Sequence, residues 1–199
     1  MRSSPDPHLY SGASGRGSSR DFAPSAERVF CAPVPPLRIT HVEVYLFRRR
    51  PALRILLLRR AAGRRTLPGV WQPVTGKLRR GERALAAAAR EVREETGFDP
   101  RRWWALETTA IYFDPIDDCT RVLPLFAAEI PSGARIELSS EHDAFRFVAP
   151  SRAAALVLWD TQRVALDALR SQILARPRLA AALELTSRMP RRTRTAGRR

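Results

Sequence analysis

The sequence predicts an α/β (α+β) fold in which a mixed β-sheet is sandwiched between α-helices, and three features carry that prediction. Short runs rich in Val, Ile, Leu and aromatic residues, punctuated by Pro, Gly and Asp, read as strands. The stretch from Arg83 to Gly97 has the apolar spacing of a helix. A second helical pattern occupies Thr161–Ala175. With 199 residues and 44% hydrophobic content, the chain suits one domain with a proper core.

Residues 1–36, with SGASGRGSS and then CAPVPP, show no sustained periodicity and read as a flexible leader. Asp6, Asp21 and Glu27 speak against a transit peptide, which is poor in acids. Ile39 to Phe47 alternates in part and reads as a strand. Leu53 to Leu58 is a short apolar run that should pair with it across a turn near Arg50 and Pro51. Residues 66–76, TLPGVWQPVTG, read as loop and short strand. In the helix that follows, Leu85, Ala89 and Val92 fall at i, i+4 and i+7, one apolar stripe able to pack on a sheet, and Gly97 is placed to end it. Leu106–Phe113 and Val122–Ile130 are further strands separated by the turn-like DPIDD, and Ala144–Val148 is another. Pro150 opens a helical stretch, and Val164, Leu166, Leu169, Ile173 and Leu174 give the closing helix its apolar side. The domain thus spans 37–185, and 186–199, ending in RMPRRTRTAGRR, forms a basic tail.

No stretch approaches the roughly 18 apolar residues that span a bilayer, and the N-terminus lacks an apolar signal core, so a cytoplasmic protein without membrane contact is expected. Cys31 and Cys119 make neither a metal-ligand spacing nor a disulfide framework and read as free thiols. The formal charge of +15 divides unevenly: +2 over 1–38, +7 over 39–185 and +6 over 186–199. Lys77 is the one lysine among 35 basic residues, a bias that a GC-rich genome explains without nucleic-acid binding. The basic surface suits an anionic, phosphate-bearing substrate. The tail makes nucleic-acid contact the sharper but less favoured alternative.

The informative segment is Gly76 to Phe98, GKLRRGERALAAAAREVREETGF. At about 100° per residue, Glu91, Glu94 and Glu95 lie within roughly a 100° arc of one helix face. Like charges at these spacings cost a few tenths of a kcal/mol per pair, so something must offset them. A divalent cation would do so. Oxygen ligands with no His or Cys partner favour Mg²⁺, with Mn²⁺ as a substitute. The bland alternative is a solvated face laced with weak ion pairs.

This segment resembles the signature of the Nudix hydrolase superfamily, Gly-x5-Glu-x7-Arg-Glu-U-x-Glu-Glu-x-Gly-U, with U a bulky apolar residue. Gly76, Glu82, Arg90, Glu91, Val92, Glu94, Glu95, Gly97 and Phe98 fill every specified position, Phe98 being aromatic rather than aliphatic. The resemblance implies the Nudix fold and metal-dependent hydrolysis of a diphosphate linkage. It implies that Glu91, Glu94 and Glu95 ligate the metals with the Gly76 carbonyl, and that Glu82 acts through water or behind the ligands. Arg90 would orient Glu91, or simply pair with Glu94 one turn on. The general base is Glu91 or Glu141, the latter preceding a strand where many relatives carry an extra glutamate; an exposed loop acid is its plainer reading. His142 reads as a surface residue.

The flanks VWQPVTGK and EHDAFRFVAPSRAAALVLWDTQRVALDAL resemble the bacterial dihydroneopterin triphosphate pyrophosphatase branch, which also hydrolyses nucleoside triphosphates such as dATP. That implies release of pyrophosphate from a nucleotide or pterin triphosphate by a monomer or homodimer. In this picture Arg59 or Arg60 grips a phosphate, as Arg does bidentately, with Lys77 also on the substrate side. Trp71 and Gln72 meet the base or pterin ring, although Trp71 also suits a core position. Three alternatives stay open: an ADP-ribose or other nucleoside diphosphate sugar pyrophosphatase, to which Pro115 points; a cap- or oxidised-nucleotide hydrolase; and a non-catalytic ligand sensor or nucleic-acid-binding module.

Overall fold

A computed structural model describes residues 36–189; the expected leader, Cys31 and the chain beyond Met189 lie outside the described residues. Eight strands form one sheet: β1 (Leu37–Arg38), β2 (His41–Arg48), β3 (Arg54–Arg60), β4 (Trp71–Gln72), β5 (Val74–Lys77), β6 (Arg102–Asp114), β7 (Cys119–Glu129) and β8 (His142–Val148). The helices are α1 (Ala84–Thr96), α2 (Pro150–Leu156), α3 (Asp160–Ala168) and α4 (Pro177–Leu183), with a π-helical segment at Leu169–Leu174 and a 3-10 turn at Thr186–Arg188.

Strand β2 is the centre of the sheet. Its residues 42–47 are buried without alternation, as in a strand covered on both faces. Along one edge it runs parallel to β7, with Glu43 opposite Leu125 and Phe47 opposite Glu129. Its other edge is shared. Antiparallel β5 takes the first half, with Val42 opposite Gly76, and β3 takes only Phe47 and Arg48. Beyond Ile55, β3 leaves β2 and near its end pairs with β4, while its opposite edge pairs with β8 from Ile55 onward. The short β4–β5 segment therefore fills the fork between two diverging strands and delivers Gly76 to the side of β2.

The two faces carry separate cores. Val42, Val44 and Leu46 face α1, packing on Ala87, Ala88, Ala89 and Val92. Tyr45 and Phe47 face the other way, onto Trp104, Ala153, Leu166, Leu169 and Ile173. The helices thus cover both sides of a mixed sheet, as the sequence predicts. Helix α1 begins and ends where expected, with Gly97 at φ 66° donating its N–H to the Arg93 carbonyl.

Three details differ from the sequence reading. The closing helix is not one piece: after Ala168 it widens, and the Ala175 N–H reaches back five residues to the Arg170 carbonyl. No Gly or Pro marks that change, so periodicity could not show it. Val164, expected on the apolar side, is exposed. Helix α4 begins at Pro177, and the chain after it returns to the sheet, where the Leu185 N–H bonds the Trp103 carbonyl. Cys119 is a free, buried thiol. No helix among the described residues is long and apolar enough to cross a membrane.

Trp104 is fully buried against Phe47, with ring centroids 5.7 Å apart, but its indole N–H has no partner. Trp104→Ala is expected to lower unfolding free energy by about 3–5 kcal/mol in a denaturant titration. Trp104→Phe should cost much less, because it also removes the unpaired donor.

Candidate active site

The turn before α1 and the first half of the helix build a ring of charge around Arg90. Gly81, at φ 75°, lets the chain turn so that the Arg79 N–H donates to Glu82 Oε2 at 2.9 Å. Glu82 in turn accepts two bonds from Arg90, from Nε at 2.9 Å and Nη2 at 2.8 Å. The guanidinium also donates through Nη1 to Glu91 Oε1 at 2.6 Å and Glu94 Oε2 at 3.0 Å, and through Nη2 to the Lys77 carbonyl at 2.9 Å. The hydrogen bonds from Arg90 are the largest influence on the Glu82 carboxyl, which is lowered to about 2. Arg90 thus bonds both of the partners weighed from the sequence, Glu91 and Glu94. Arg79 reaches Glu94 from outside, Nη2 to Oε1 at 3.0 Å.

Glu91 lies directly over β5. A Cβ placed on Gly76 would fall 1.9 Å from the Glu91 Cδ and 2.2 Å from its Oε1, so only a glycine leaves room for this carboxylate beside the strand. Burial pushes the Glu91 carboxyl up, and Arg90 opposes that shift.

Glu95, one turn on, is of a different kind. It is 4% exposed and its Oε2 is sealed with no hydrogen-bond partner. Burial first, then the charges of Glu91 and Glu141, push its carboxyl well above the ordinary range. Glu141 sits immediately before β8, where its carbonyl accepts the Ala61 N–H at 2.9 Å and its carboxylate faces Arg64 Nη2 at 3.3 Å. It adds a fourth acid to the field felt by Glu91 and Glu95.

The structure corrects the reading of His142. Instead of lying on the surface, it is 5% exposed, because β8 pairs with β3 and turns the ring inward toward α1, Nδ1 standing 3.9 Å from Glu95 Oε2. The remaining candidates make other contacts. Arg59 is paired with Asp143 at 2.6 Å, and Arg60 donates to the Thr66 carbonyl at 2.9 Å, although its charge is felt by Glu95. Trp71 packs at the margin of the α2–α3 core, with the guanidiniums of Arg59 and Arg146 over its ring at 5.8 and 4.8 Å. Gln72 is buried and donates to Thr75 Oγ1 at 3.2 Å. Lys77 is exposed and contributes its carbonyl to Arg90. Sequence reasoning missed Arg64, Arg79 and Arg146; only the structure shows which of so many arginines meet the acids or Trp71.

As the side chains stand, no three His, Cys, Asp or Glu among the described residues close on one point. Arg90 accounts for part of this, since it occupies oxygens of both Glu91 and Glu94. Even so, the donor set fits a small hard cation. It is all carboxylate and carbonyl oxygen, and its acids repel one another.

Comparison with known proteins places the chain in a family. The family model described as the NUDIX domain matches residues 39–169. A Myxococcus xanthus octanoyltransferase is 37% identical over 121 residues, covering 57% of this chain and 31% of that protein. The zebrafish (Danio rerio) m7GpppN-mRNA hydrolase NUDT17 is 30% identical over 95 residues, covering 48% of this chain and 27% of that protein. The chain thus spans about a third or less of the curated relatives it matches. Among solved structures, the E. coli dihydroneopterin triphosphate pyrophosphohydrolase superposes with a TM-score of 0.57 at 24% identity, over 71% of this chain and 97% of that one.

The contact between Gly76 and Glu91 yields a test. Gly76→Ala should destabilise the fold by about 1–3 kcal/mol, the usual range for overpacking. Adding Glu91→Ala should recover most of that loss. A denaturant double-mutant cycle showing strict additivity would contradict the contact.

Proposed function

This chain belongs to the Nudix family, and on that premise we propose that it is a Mg²⁺-dependent pyrophosphohydrolase, cleaving a nucleoside triphosphate or dihydroneopterin triphosphate to a monophosphate and pyrophosphate. The observation that carries the reading is the gathering of Glu91, Glu94, Glu95 and Glu141 beside the Gly76 strand, with Arg90 held at the centre by Glu82. Glu91, Glu94, Glu95 and the Gly76 carbonyl would hold the cation. Bound there, it supplies charge neutralisation at the diphosphate and acidifies water.

The protein's own groups do the rest. Glu82 serves Arg90 rather than the cation directly, since its two oxygens already receive Arg90 and the Arg79 N–H. Arg90 fixes the rotamers of Glu91 and Glu94, so that their oxygens start from one defined arrangement. Either Glu91 or Glu141 takes the proton of the attacking water. Burial pushes the Glu91 carboxyl upward, the direction that strengthens a base, while Arg90 opposes the shift. Glu141 is half-exposed and borders the same cluster. Arg59 and Arg60 at the end of β3, with Lys77, offer cationic groups to the phosphates, and Trp71 and Gln72 are the candidates for the ring. The similarity of both flanks to the dihydroneopterin triphosphate branch supports the choice of a triphosphate. The protein acts without a membrane, in the cytoplasm, as a monomer or homodimer.

The deciding assay measures pyrophosphate, phosphate and monophosphate release from dihydroneopterin triphosphate, nucleoside triphosphates and ADP-ribose, with and without Mg²⁺. Metal-dependent pyrophosphate release from a triphosphate is expected, with Glu91→Gln and Glu95→Gln each lowering kcat by at least about 100-fold, the range seen when groups acting on the transition state are removed. AMP from ADP-ribose alone would transfer the proposal to diphosphate sugars. Unchanged turnover in both variants would refute the ligand assignment.

A further inference from the structure

Two groups at the inner end of the carboxylate cluster are left without partners, and they face each other. Glu95 Oε2, His142 Nδ1 and His142 Nε2 are all sealed from solvent with no hydrogen bond. The His142 and Glu95 side chains are only 1% and 5% exposed, and Nδ1 stands 3.9 Å from Oε2. A sealed polar atom without a partner typically costs about 1–3 kcal/mol, so Nδ1 and Oε2 facing each other are unfavourable unless they serve one another. Closing 3.9 Å to an ordinary hydrogen-bond length takes a movement of roughly 1 Å. Moreover, the two residues come from elements that meet only in the folded protein: Glu95 from the last turn of α1, His142 from the first residue of β8, paired with Arg60 next to a bulge in β3.

We propose that His142 is a positioning residue for Glu95: its Nδ1–H binds the inner carboxylate oxygen and thereby aims the other oxygen at the cation. The inference rests on the cation site proposed above and adds to it a nitrogen donor behind the ligands. A ring fixed from behind holds a carboxylate in one orientation, as partners behind metal ligands do elsewhere, where their loss weakens metal binding by about 10- to 100-fold. Among the described residues no hydrogen bond reaches Glu95 Oε2, and the imidazole stands ready to supply one.

The test reads Mn²⁺ binding to the full chain by electron paramagnetic resonance, without substrate, in wild type, His142→Phe, His142→Asn and Glu95→Gln. His142→Phe should bind Mn²⁺ about 10- to 100-fold more weakly. His142→Asn, whose amide N–H₂ can stand where Nδ1–H was, should recover most of that loss. His142→Phe binding as tightly as wild type, or His142→Asn as weakly as His142→Phe, would overturn the proposal. In either case weak binding by Glu95→Gln would leave the cation site standing. Wild type that binds no Mn²⁺ would overturn both readings together. A second measurement does not depend on the Phe variant folding: in ¹⁵N-labelled protein the Nδ1 resonance of His142 should report a protonated nitrogen and shift in Glu95→Gln. An Nδ1 signal indifferent to that substitution also overturns the proposal.

Discussion

The arrangement of this site depends on one guanidinium. Three acids of the α1 region, Glu82, Glu91 and Glu94, converge on Arg90, which also caps the Lys77 carbonyl at the end of β5. Without a cation at their centre, like charges at these spacings would push the side chains apart and weaken the helix that carries them. On the proposed reading, Arg90 and a divalent cation would compete for the same oxygens. In this structure Arg90 holds those of Glu91 and Glu94, and a cation would have to share or displace it. Because Glu82 keeps two bonds on the other side of the guanidinium, Arg90 remains anchored when it yields them. Glu82 thus supports Arg90 from one side, while Glu91 and Glu94 meet it from the other.

The fork in the sheet supplies the platform. Strand β3 accompanies β2 for two residues and then departs from it, and the β4–β5 segment occupies the opening. Gly76 is thereby fixed beside Val42, under the middle of α1, and β8 brings Glu141 and His142 to the far end of the same helix. Helix α1 itself is pinned by Ala87, Ala88 and Val92 on Val42, Val44 and Leu46. Small alanines let the helix lie close to the sheet, which is why a glycine is needed where Glu91 passes over β5.

Much of this was legible beforehand. The spacing of Glu91, Glu94 and Glu95 on one helical face, the end of α1 at Gly97 and the strands flanking it follow from local periodicity, which sequence carries directly. The charge network was legible only in outline: Arg90 could be placed beside Glu91 and Glu94, but its two bonds to Glu82 depend on the turn at Gly81. What sequence could not carry was anything set by strand register. The inward side of β8, and so the burial of His142, depends on pairing with β3 more than eighty residues earlier. The sequence reads His142 as a surface residue, and the register buries it. The π-helical widening after Ala168 likewise arises from packing, as no residue there forbids an ordinary helix.

The parallel pairing of β2 with β7 has a consequence for how the molecule comes into being. A ribosome releases β2, β5 and α1 long before Leu125–Glu129, yet β2 cannot complete its hydrogen bonding until those residues emerge. Until then the apolar faces of α1 and β2 have no finished sheet to close on, and contacts of such sequence separation form slowly. Residues 141 and 142 come later still. A nascent chain therefore carries the acids of α1 for some time before β8 arrives to seal Glu95.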